Sequence, residues 1–370
     1  MADTAKVSTP GSIDPDVSRS WTLPSHLYFE PAILKQEVDN IFARTWQIVC
    51  RRDQVAHAGD YVTASLASEP LLVARDASGE LRAFFNVCRH RAGPPAEGCG
   101  NRKVFRCGYH GWTYGLDGHL ISAPEFEGVQ DFRPEEFGLR PVNVAEWGAW
   151  VFVNLDAKPE PLVPSLGELP QQSARFHFGQ LRFYERREYV LDCNWKTYVD
   201  NFLEGYHLPS VHPGLNKELD YGSYVTETFE RHSLQYSPFR AAADDGQRRY
   251  QKGSDDDRAD YYWVFPNWTL SCYPDNVSVN VILPLAPEHC VVSFEWFFDE
   301  ARLATDVPAK TVRFSDEVQL EDGRICETVQ RNLRSRSYQR GRFSVKQERG
   351  VHHFHRLYTE WMGINQDLGR

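Results

Sequence analysis

Two pairs of cysteine and histidine have the residue types and spacing that most directly indicate chemistry in this chain. Cys88 and His90 form a Cys-x-His pair, and Cys107 and His110 form a Cys-x-x-His pair one loop later. Two thiolates and two imidazoles are the ligand set of a 2Fe–2S cluster in which histidine replaces cysteine on one of the two irons. The spacing therefore predicts that the cysteines hold one iron and the histidines the other.

A structural zinc site is the alternative, because it also draws its ligands from cysteine and histidine. Such sites usually pair like ligands about two to four residues apart, whereas each pair here mixes one cysteine with one histidine. The segments Gly93-Pro94-Pro95 and Gly108-Tyr109-His110-Gly111-Trp112 are also suited to loops that fold over a cluster and aim backbone N–H groups at its sulfurs. These flanks favour the iron–sulfur interpretation.

A second group of potential ligands lies further along the chain. On a helix, Asp200, Glu204 and His207 share one face, and Pro209 breaks that helix so that His212 turns back toward it. Two neutral imidazoles with one carboxylate form the ligand set of non-heme Fe(II) oxygenases, which leaves metal positions open for O2 and substrate. The spacing supplies the two histidines, and the third ligand must come from elsewhere.

Both motifs resemble those of one enzyme family. Cys88-Arg89-His90-Arg91-Ala92-Gly93 and Cys107-Gly108-Tyr109-His110-Gly111-Trp112-Thr113-Tyr114 are similar to the signature of Rieske non-heme iron oxygenase catalytic (alpha) subunits. The resemblance extends over residues 28–358. A ferredoxin or a respiratory subunit could carry the cluster motif alone, but such an electron carrier has no second metal site. The resemblance implies an α+β fold in which a small all-β Rieske module is inserted into a larger catalytic domain, with an antiparallel sheet and helices covering the iron site.

The resemblance also implies roles for acidic and amide residues. Asp322 matches the helix residue that completes the iron site in these oxygenases, although Glu321 and Glu327 remain alternatives on sequence alone. Glu204 matches the acid that links a cluster-bound histidine of one subunit to an iron-bound histidine of the next. Many relatives carry aspartate there, which is one methylene shorter. This link implies a head-to-tail homotrimer, and Asn201 is expected near the iron pocket.

Two further polar groups need an interpretation. Asp200 is placed with Asn201 and Glu204 in the predicted catalytic group, because it lies on the same helical face as the first histidine ligand. His352 and His355 could form a competing metal site, since they also share a helical face. No acid or cysteine stands at a matching spacing, and the aromatic surroundings favour packing instead.

The resemblance is strongest to the branch that includes choline monooxygenase and the oxygenases of carnitine and glycine betaine. Residues 194–196, 326–330 and 350–355 carry it. A quaternary ammonium group binds best among aromatic ring faces. Strand packing is the alternative role for these rings. The predicted substrate-binding residues are Phe202, Tyr206, Tyr262, Trp263, Phe265 and Trp268, with Tyr261 and Tyr273 as further candidates.

The activity that this branch implies is that of a terminal oxygenase. A flavin and iron–sulfur reductase would pass electrons from NADH or NADPH to the cluster, and a mononuclear Fe(II) would use them with O2. The expected outcome is hydroxylation or oxidative N-demethylation of a methylated or quaternary amine. A ring-hydroxylating oxygenase acting on an aromatic compound or aromatic acid is the alternative, and a Rieske electron carrier without substrate chemistry is a remote one.

Composition restricts the partners and the location. A net charge of -10 and a pI near 5.7 give no reason to expect nucleic acid or an anionic membrane surface as a partner. No apolar run is long enough to span a bilayer, and the polar start lacks a secretory signal, so a soluble cytoplasmic protein is expected. Six cysteines show no paired spacing and are expected to be reduced: Cys50, Cys99, Cys193, Cys272, Cys290 and Cys326.

Hydrophobic periodicity defines the elements that must position these groups. It predicts a flexible tail over residues 1–20, an N-terminal helical segment over 21–45, a β-rich Rieske domain over 46–156, a linker over 157–164 and a catalytic domain over 165–370. Residues 241–260 are polar and charged, which predicts a mobile surface loop. Predicted helices cover residues 31–44, 195–207, 311–333 and 351–362. A further predicted strand covers 187–191, and predicted neighbouring strands of one antiparallel sheet cover 261–273, 277–285 and 290–298.

Overall fold

The chain forms two compact units in a computed structural model, which describes residues 13–240 and 257–364. One unit is Val38–Ser165, and the other combines Met1–Glu37 with Leu166–Arg370. The smaller unit is built on β-strands and lies within the sequence of the larger α+β unit. This arrangement confirms the predicted fold class. The first division lies between Glu37 and Val38, inside the helical segment predicted over 31–44.

The smaller unit contains three antiparallel sheets in its described residues. The sheets have the strand orders β1-β10-β9, β4-β3-β2-β5 and β6-β7-β8. All five residues of Trp150–Asn154 are buried, which suits a central strand that has a partner on both sides. The strands are β1 Gln47–Arg51, β2 Asp60–Leu66, β3 Glu69–Arg75, β4 Leu81–Phe85, β5 Cys99–Asn101, β6 Phe105–Arg106, β7 Thr113–Tyr114, β8 Leu120–Ser122, β9 Asn143–Trp147 and β10 Trp150–Asn154.

The larger unit contains one seven-stranded antiparallel sheet, in the order β11-β17-β16-β15-β14-β13-β12. The long apolar run predicted as one strand over 261–273 is a hairpin, because Phe265, Pro266 and Asn267 form a turn between β14 and β15. The strands are β11 Arg182–Leu191, β12 Val225–Thr228, β13 His232–Pro238, β14 Arg258–Val264, β15 Trp268–Tyr273, β16 Asn276–Ala286 and β17 His289–Phe298.

Three helices are important for the site, namely the two longest helices and a third helix that has eight residues. The α-helices of the described residues are α1 Pro31–Glu37, α2 Leu162–Ser165, α3 Leu169–Gln172, α4 Trp195–Phe202, α5 Leu208–Val211, α6 Leu215–Glu218, α7 Val307–Leu333 and α8 Arg349–Trp361. A π-helical turn covers Val38–Phe42. Short 3-10 helices cover Ser25–Tyr28, Arg52–Val55, Pro134–Phe137, Ala174–Phe176, Phe178–Gln180, Tyr221–Ser223 and Arg302–Ala304.

The segment predicted as a helix over 31–44 is an α-helix to Glu37 and continues as the π-helical turn to Phe42. The helix predicted over 195–207 is shorter than the sequence pattern indicated, because it ends at Phe202. His207 therefore lies in a turn, so it does not share a continuous helical face with Asp200 and Glu204, and that prediction is wrong. Pro209 occupies the first turn of the next helix, where its missing N–H costs little, and does not terminate α4.

A buried ion pair anchors the start of α4. Lys196 Nζ lies 2.5 Å from Glu37 Oε1, and both side chains are fully buried. Tyr358 OH donates to the same carboxylate at 2.7 Å, and Trp195 Nε1 donates to its second oxygen at 2.8 Å. Burial lowers the pKa of Lys196, which the charge of Glu37 opposes. Removing one partner of such a pair typically costs about 3–5 kcal/mol, so this contact fixes α4 against α1 and α8.

Three other predictions concern the periphery of the chain. Most of the predicted mobile loop, residues 241–256, and most of the predicted tail, residues 1–12, lie outside the described residues. Part of the predicted linker is helical, at Leu162–Ser165.

Within residues 13–240 and 257–364, none of the helices combines the length and hydropathy that crossing a bilayer requires. Cys193 and Cys290 have free thiols whose sulfurs lie 3.8 Å apart, a contact that their sequence spacing does not indicate.

Candidate metal centres

Two loops of the smaller unit hold Cys88 and Cys107 in the same backbone conformation. Cys88 N donates to Gly93 O at 2.9 Å, and Ala92 N donates to Cys88 O at 3.0 Å. The second loop repeats this pattern, because Cys107 N donates to Trp112 O at 2.9 Å and Gly111 N donates to Cys107 O at 3.0 Å. Each cysteine is thus held at the base of a tight loop whose tip carries a histidine.

The two histidines of these loops lie next to each other. The ring centroids of His90 and His110 are 4.6 Å apart, and His90 stacks on Trp112. Burial and the neighbouring His110 lower the pKa of His90, which favours the neutral imidazole that a metal requires. His90 Nδ1 is buried and has no hydrogen-bond partner in the described part of the chain. An unpaired ring nitrogen at this position fits a metal ligand.

The two sulfurs are also placed as cluster ligands. Burial raises the pKa of the Cys107 thiol, and the backbone N–H groups of Tyr109 and His110, which point at its sulfur, act in the opposite direction. A Cβ atom at Gly93 would lie only 2.8 Å from Cys107 Sγ, so glycine lets the first loop close over the sulfur. Tyr114 OH lies 3.1 Å from Cys88 Sγ. This donor set fits a 2Fe–2S cluster held by two thiolates and two imidazoles.

The larger unit brings a second set of ligands together. Nitrogen or oxygen atoms of His207, His212 and Asp322 all lie within 4.8 Å of one another. His212 Nε2 is 3.0 Å from Asp322 Oδ1, and His207 Nε2 is 3.7 Å from the same oxygen. These three residues converge from the turn after α4, the end of α5 and the middle of α7. The donor set is that of a mononuclear Fe(II) site with open positions.

A glutamate contacts the outer nitrogen of each of these histidines. His207 Nδ1 lies 2.6 Å from Glu204 Oε1, and His212 Nδ1 lies 2.7 Å from Glu321 Oε2. A carboxylate next to Nδ1 favours the tautomer whose Nε2 can bind a metal, and Nε2 of both histidines lies on the side of Asp322. Burial lowers the pKa of His212, but the hydrogen bonds and charges of Asp322 and Glu321 outweigh it and raise the pKa. Asp322 is thus the carboxylate that faces Nε2 of both histidines, whereas Glu321 contacts Nδ1 of His212.

The remaining acidic and amide predictions differ in their outcome. Asn201 Nδ2 donates to Asp322 Oδ1 at 2.5 Å, which places it at the site as expected. Asp200 is turned away, because it accepts from Tyr28 OH at 2.7 Å and contacts His355 Nε2 at 2.9 Å. Its carboxylate thus lies outside the group of converging ligands, and its catalytic role stays a prediction.

Three other candidate metal ligands also form contacts outside this group. Glu327 accepts from the backbone N–H of Asp192 at 3.3 Å and is absent from the group of converging ligands. His355 Nδ1 accepts from Leu23 N at 3.2 Å, so its tautomer donates from Nε2 to Asp200. His352 Nε2 contacts the carbonyl oxygen of Asp14 at 2.7 Å. These contacts agree with the prediction that the histidine-rich segment serves packing.

A cavity of about 110 Å³ adjoins the three ligands. One wall is a single face of the sheet, because residues paired across β14 to β17 point to the same side. The helices α4 and α7 form the opposite wall. Its aromatic lining is Tyr198, Phe202, Tyr224, Tyr261, Tyr273, Phe294, Trp296 and Phe314.

Only part of the predicted aromatic set reaches this cavity. Phe202, Tyr261 and Tyr273 line it. Tyr262 and Trp268 point to the other face of the sheet, where Tyr262 OH donates to Gln172 O at 3.3 Å. These two predictions are wrong, because the alternation of side chains along β14 and β15 turns both rings away from the cavity.

Three further aromatic predictions are also wrong for the cavity. Trp263 and Phe265 pack against α8, with ring centroids 5.4 Å from Phe354 and Trp361 respectively. Tyr206 is exposed and does not line the cavity. Sequence reasoning missed Phe294 and Trp296 on β17, although they alternate with Glu295 as residues of one strand face do.

Comparisons with known proteins agree with both sites. Residues 45–133 match the family model for a Rieske [2Fe-2S] domain, and residues 178–364 match that for a ring hydroxylating alpha subunit (catalytic domain). The chain is 37% identical to chloroplastic choline monooxygenase of Arabidopsis thaliana, covering 96% of this chain and 86% of that protein. It is 30% identical to the carnitine monooxygenase oxygenase subunit of Escherichia coli K12, covering 92% and 94%.

A solved structure gives the same result for the fold. A quaternary ammonium Rieske monooxygenase, solved in work on carnitine oxidation by gut microbiota and inter-subunit electron transfer, superposes with a TM-score of 0.86. Sequence identity is 27%, and the match covers 94% of this chain and 97% of that one. The α+β architecture described above, including the inserted β module, is thus shared with this structure.

Proposed function

The chain belongs to the family of Rieske-type ring-hydroxylating oxygenase alpha subunits, and from this we propose that it is the terminal oxygenase for a small methylated or quaternary amine. A flavin and iron–sulfur reductase would supply electrons from NADH or NADPH, and O2 would be the second substrate. The product would be a hydroxylated or N-demethylated amine.

The observation that carries this proposal is the aromatic cavity beside the two histidines and Asp322. Several aromatic side chains line one small volume, and aromatic rings attract a quaternary ammonium group more strongly than a neutral group of equal shape. Each favourable ring contact contributes about 0.5–2 kcal/mol. The substrates for which the two relatives are named, choline and carnitine, both carry a trimethylammonium group, so the relatives support the same class.

The charges of the cavity favour a substrate whose remaining part is neutral. Among the described lining residues, the carboxylates are Glu204 and Asp322, and neither lysine nor arginine is present. The neutral polar side chains of the sheet wall include Ser271, Asn276, Ser278 and Asn280. A carboxylate on the substrate would lack a cationic partner among these residues, whereas a hydroxyl group would find hydrogen-bonding groups. Choline-like alcohols therefore fit better than amino acids such as carnitine.

The proposed metal ligands form two separate sites. Cys88, His90, Cys107 and His110 would hold the cluster, and the second set would hold Fe(II). When bound, the cluster supplies one-electron storage and the mononuclear iron supplies O2 activation. Asn201 orients Asp322, and the surrounding rings hold the cation and exclude water. These are functions of the chain's own side chains.

Glu204 is assigned a second role in addition to orienting His207. Its carboxylate also accepts the backbone N–H groups of Tyr206 and of His207, the latter at 3.0 Å. We place it as the link to a cluster-bound histidine of a neighbouring subunit in a head-to-tail homotrimer. Inter-subunit electron transfer in the similar carnitine-oxidising enzyme supports this arrangement.

The proposal predicts discrimination by charge. Choline and 3,3-dimethyl-1-butanol have nearly the same shape, but only choline carries a positive charge. We expect choline to half-saturate the reaction at a concentration about tenfold lower, because a factor of ten corresponds to about 1.4 kcal/mol and several rings contribute. The measurement is the substrate-dependent reoxidation of chemically reduced protein by O2, which needs no reductase.

Two tryptophans provide matched variants for this test. Trp296→Leu removes a ring of the cavity wall and should reduce the discrimination, whereas Trp268→Leu changes the other face of the same sheet and should preserve it. Equal responses to choline and its neutral analogue would contradict the proposal. Turnover of aromatic acids without turnover of any methylated amine would support the alternative ring-hydroxylating function.

A further inference from the structure

The turn that carries Glu204 is held by residues outside the metal site. It begins where α4 ends at Phe202, whose carbonyl oxygen has no partner within the helix. Gln235 on β13 is fully buried, and its Nε2 donates to this oxygen at 2.7 Å. Tyr224 OH in turn donates to Gln235 Oε1 at 3.2 Å. This chain of hydrogen bonds fixes the point at which the turn leaves the helix.

A close backbone contact holds the next residue. Gly350, in the first turn of α8, packs directly against Leu203, and a Cβ atom at Gly350 would overlap with the Leu203 carbonyl oxygen. It would also lie 3.4 Å from the carbonyl carbon, so the obstacle is backbone and cannot rotate away. Leu203 itself is fully buried. Glycine at position 350 therefore lets α8 press against the residue before Glu204.

A third contact holds the residue after Glu204. A Cβ atom at Gly205 would lie 2.8 Å from two ring atoms of Tyr224 and 3.0 Å from a third. The ring is restrained, because its hydroxyl is the one that donates to Gln235. Both neighbours of Glu204 in the chain are thus in contacts that tolerate no additional atom.

We propose that Gly205, Gly350 and Gln235 are positioning residues that fix the Glu204 carboxylate between His207 and the surface where a neighbouring cluster docks. The proposal rests on the electron-linking role of Glu204 stated above. These contacts fix the backbone on both sides of Glu204 and so limit the positions that its flexible side chain can reach, which holds the carboxylate where it meets His207 Nδ1.

The test is a double-mutant cycle between Gly205 and Tyr224. Gly205→Ala should slow single-turnover reoxidation of the reduced cluster roughly 10- to 100-fold, since misplacement by about 1 Å can cost that much. In a Tyr224→Ala background, which removes the ring, the same substitution should change the rate less than about twofold. Iron content should be the same in all four proteins. Gly222→Ala, where a Cβ atom meets only Asp220 Oδ1 at 3.4 Å, is the control.

A second readout does not depend on bound metal. In the metal-free protein, Gly205→Ala should lower the thermal unfolding midpoint in the presence of Tyr224 and not in the Tyr224→Ala background. If Gly205→Ala does not fold, Gln235→Leu should give the slow reoxidation instead. Unchanged rates, or equal slowing in both backgrounds, would overturn the positioning role. If the unsubstituted protein shows no substrate-dependent reoxidation, the proposed function fails, while the unfolding cycle still tests the contact.

Discussion

Replacing Glu204 by glutamine is expected to slow substrate-dependent reoxidation of the cluster on the order of 100-fold while both metal sites stay loaded. The amide oxygen can still accept from His207 Nδ1, whereas the amide NH2 group cannot accept the backbone N–H groups of Tyr206 and His207 that bind the second carboxylate oxygen. The negative charge that would bind a protonated histidine of the neighbouring subunit is lost. The measurement is stopped-flow absorbance of the reduced cluster, together with iron analysis of the same samples.

Glu321→Gln is the matched control for this substitution. It also replaces a carboxylate by an amide, but beside the other histidine, because Glu321 contacts His212 Nδ1 as Glu204 contacts His207 Nδ1. We expect it to weaken iron binding modestly and to leave the transfer rate of iron-loaded protein within about threefold. Equal slowing in the two variants would mean that Glu204 only orients its histidine.

Removal of Asp322 should have the largest effect on metal content. Asp322→Ala leaves two histidines, which hold Fe(II) poorly, so iron should fall from about three to about two per chain with the cluster intact. Substrate turnover should be lost altogether. The measurement is iron analysis combined with the visible absorbance of the cluster, which reports the smaller unit independently.

Glu327→Ala tests the specificity of that result. Glu327 lies on the same helix and was an equal candidate on sequence alone, but its carboxylate accepts from Asp192 N. Full iron content is expected for this variant, as is turnover. Loss of iron in Glu327→Ala with retention in Asp322→Ala would contradict the ligand assignment.

The cluster motif could be predicted from sequence because its geometry is local. Each Cys–His pair lies in one tight loop, and the hydrogen bonds that close both loops join residues four or five positions apart. Asp322 could not be derived in the same way, because it lies on α7 while both histidines precede β12. Only the resemblance to known oxygenases selected it over Glu321 and Glu327, and the contacts of these two glutamates explain their different roles.

The end of α4 could not be predicted because tertiary contacts determine it. Residues 195–207 have a helical pattern, but Gln235 and Gly350 contact Phe202 and Leu203 from distant parts of the sequence. Within residues 195–207, Gly205 is a local signal of a turn. The identity of the substrate-contacting rings depends likewise on strand register, since Trp268 and Tyr273 lie on the same strand but on opposite faces.

We propose that this chain oxygenates a quaternary amine at the site formed by His207, His212 and Asp322. The most direct test is a single turnover, in which chemically reduced protein is mixed with O2 and choline and the organic product is counted. We expect close to one oxidised amine per mononuclear iron, and none with Asp322→Ala. Reoxidation of the cluster without product from choline or any other methylated amine would contradict the claim.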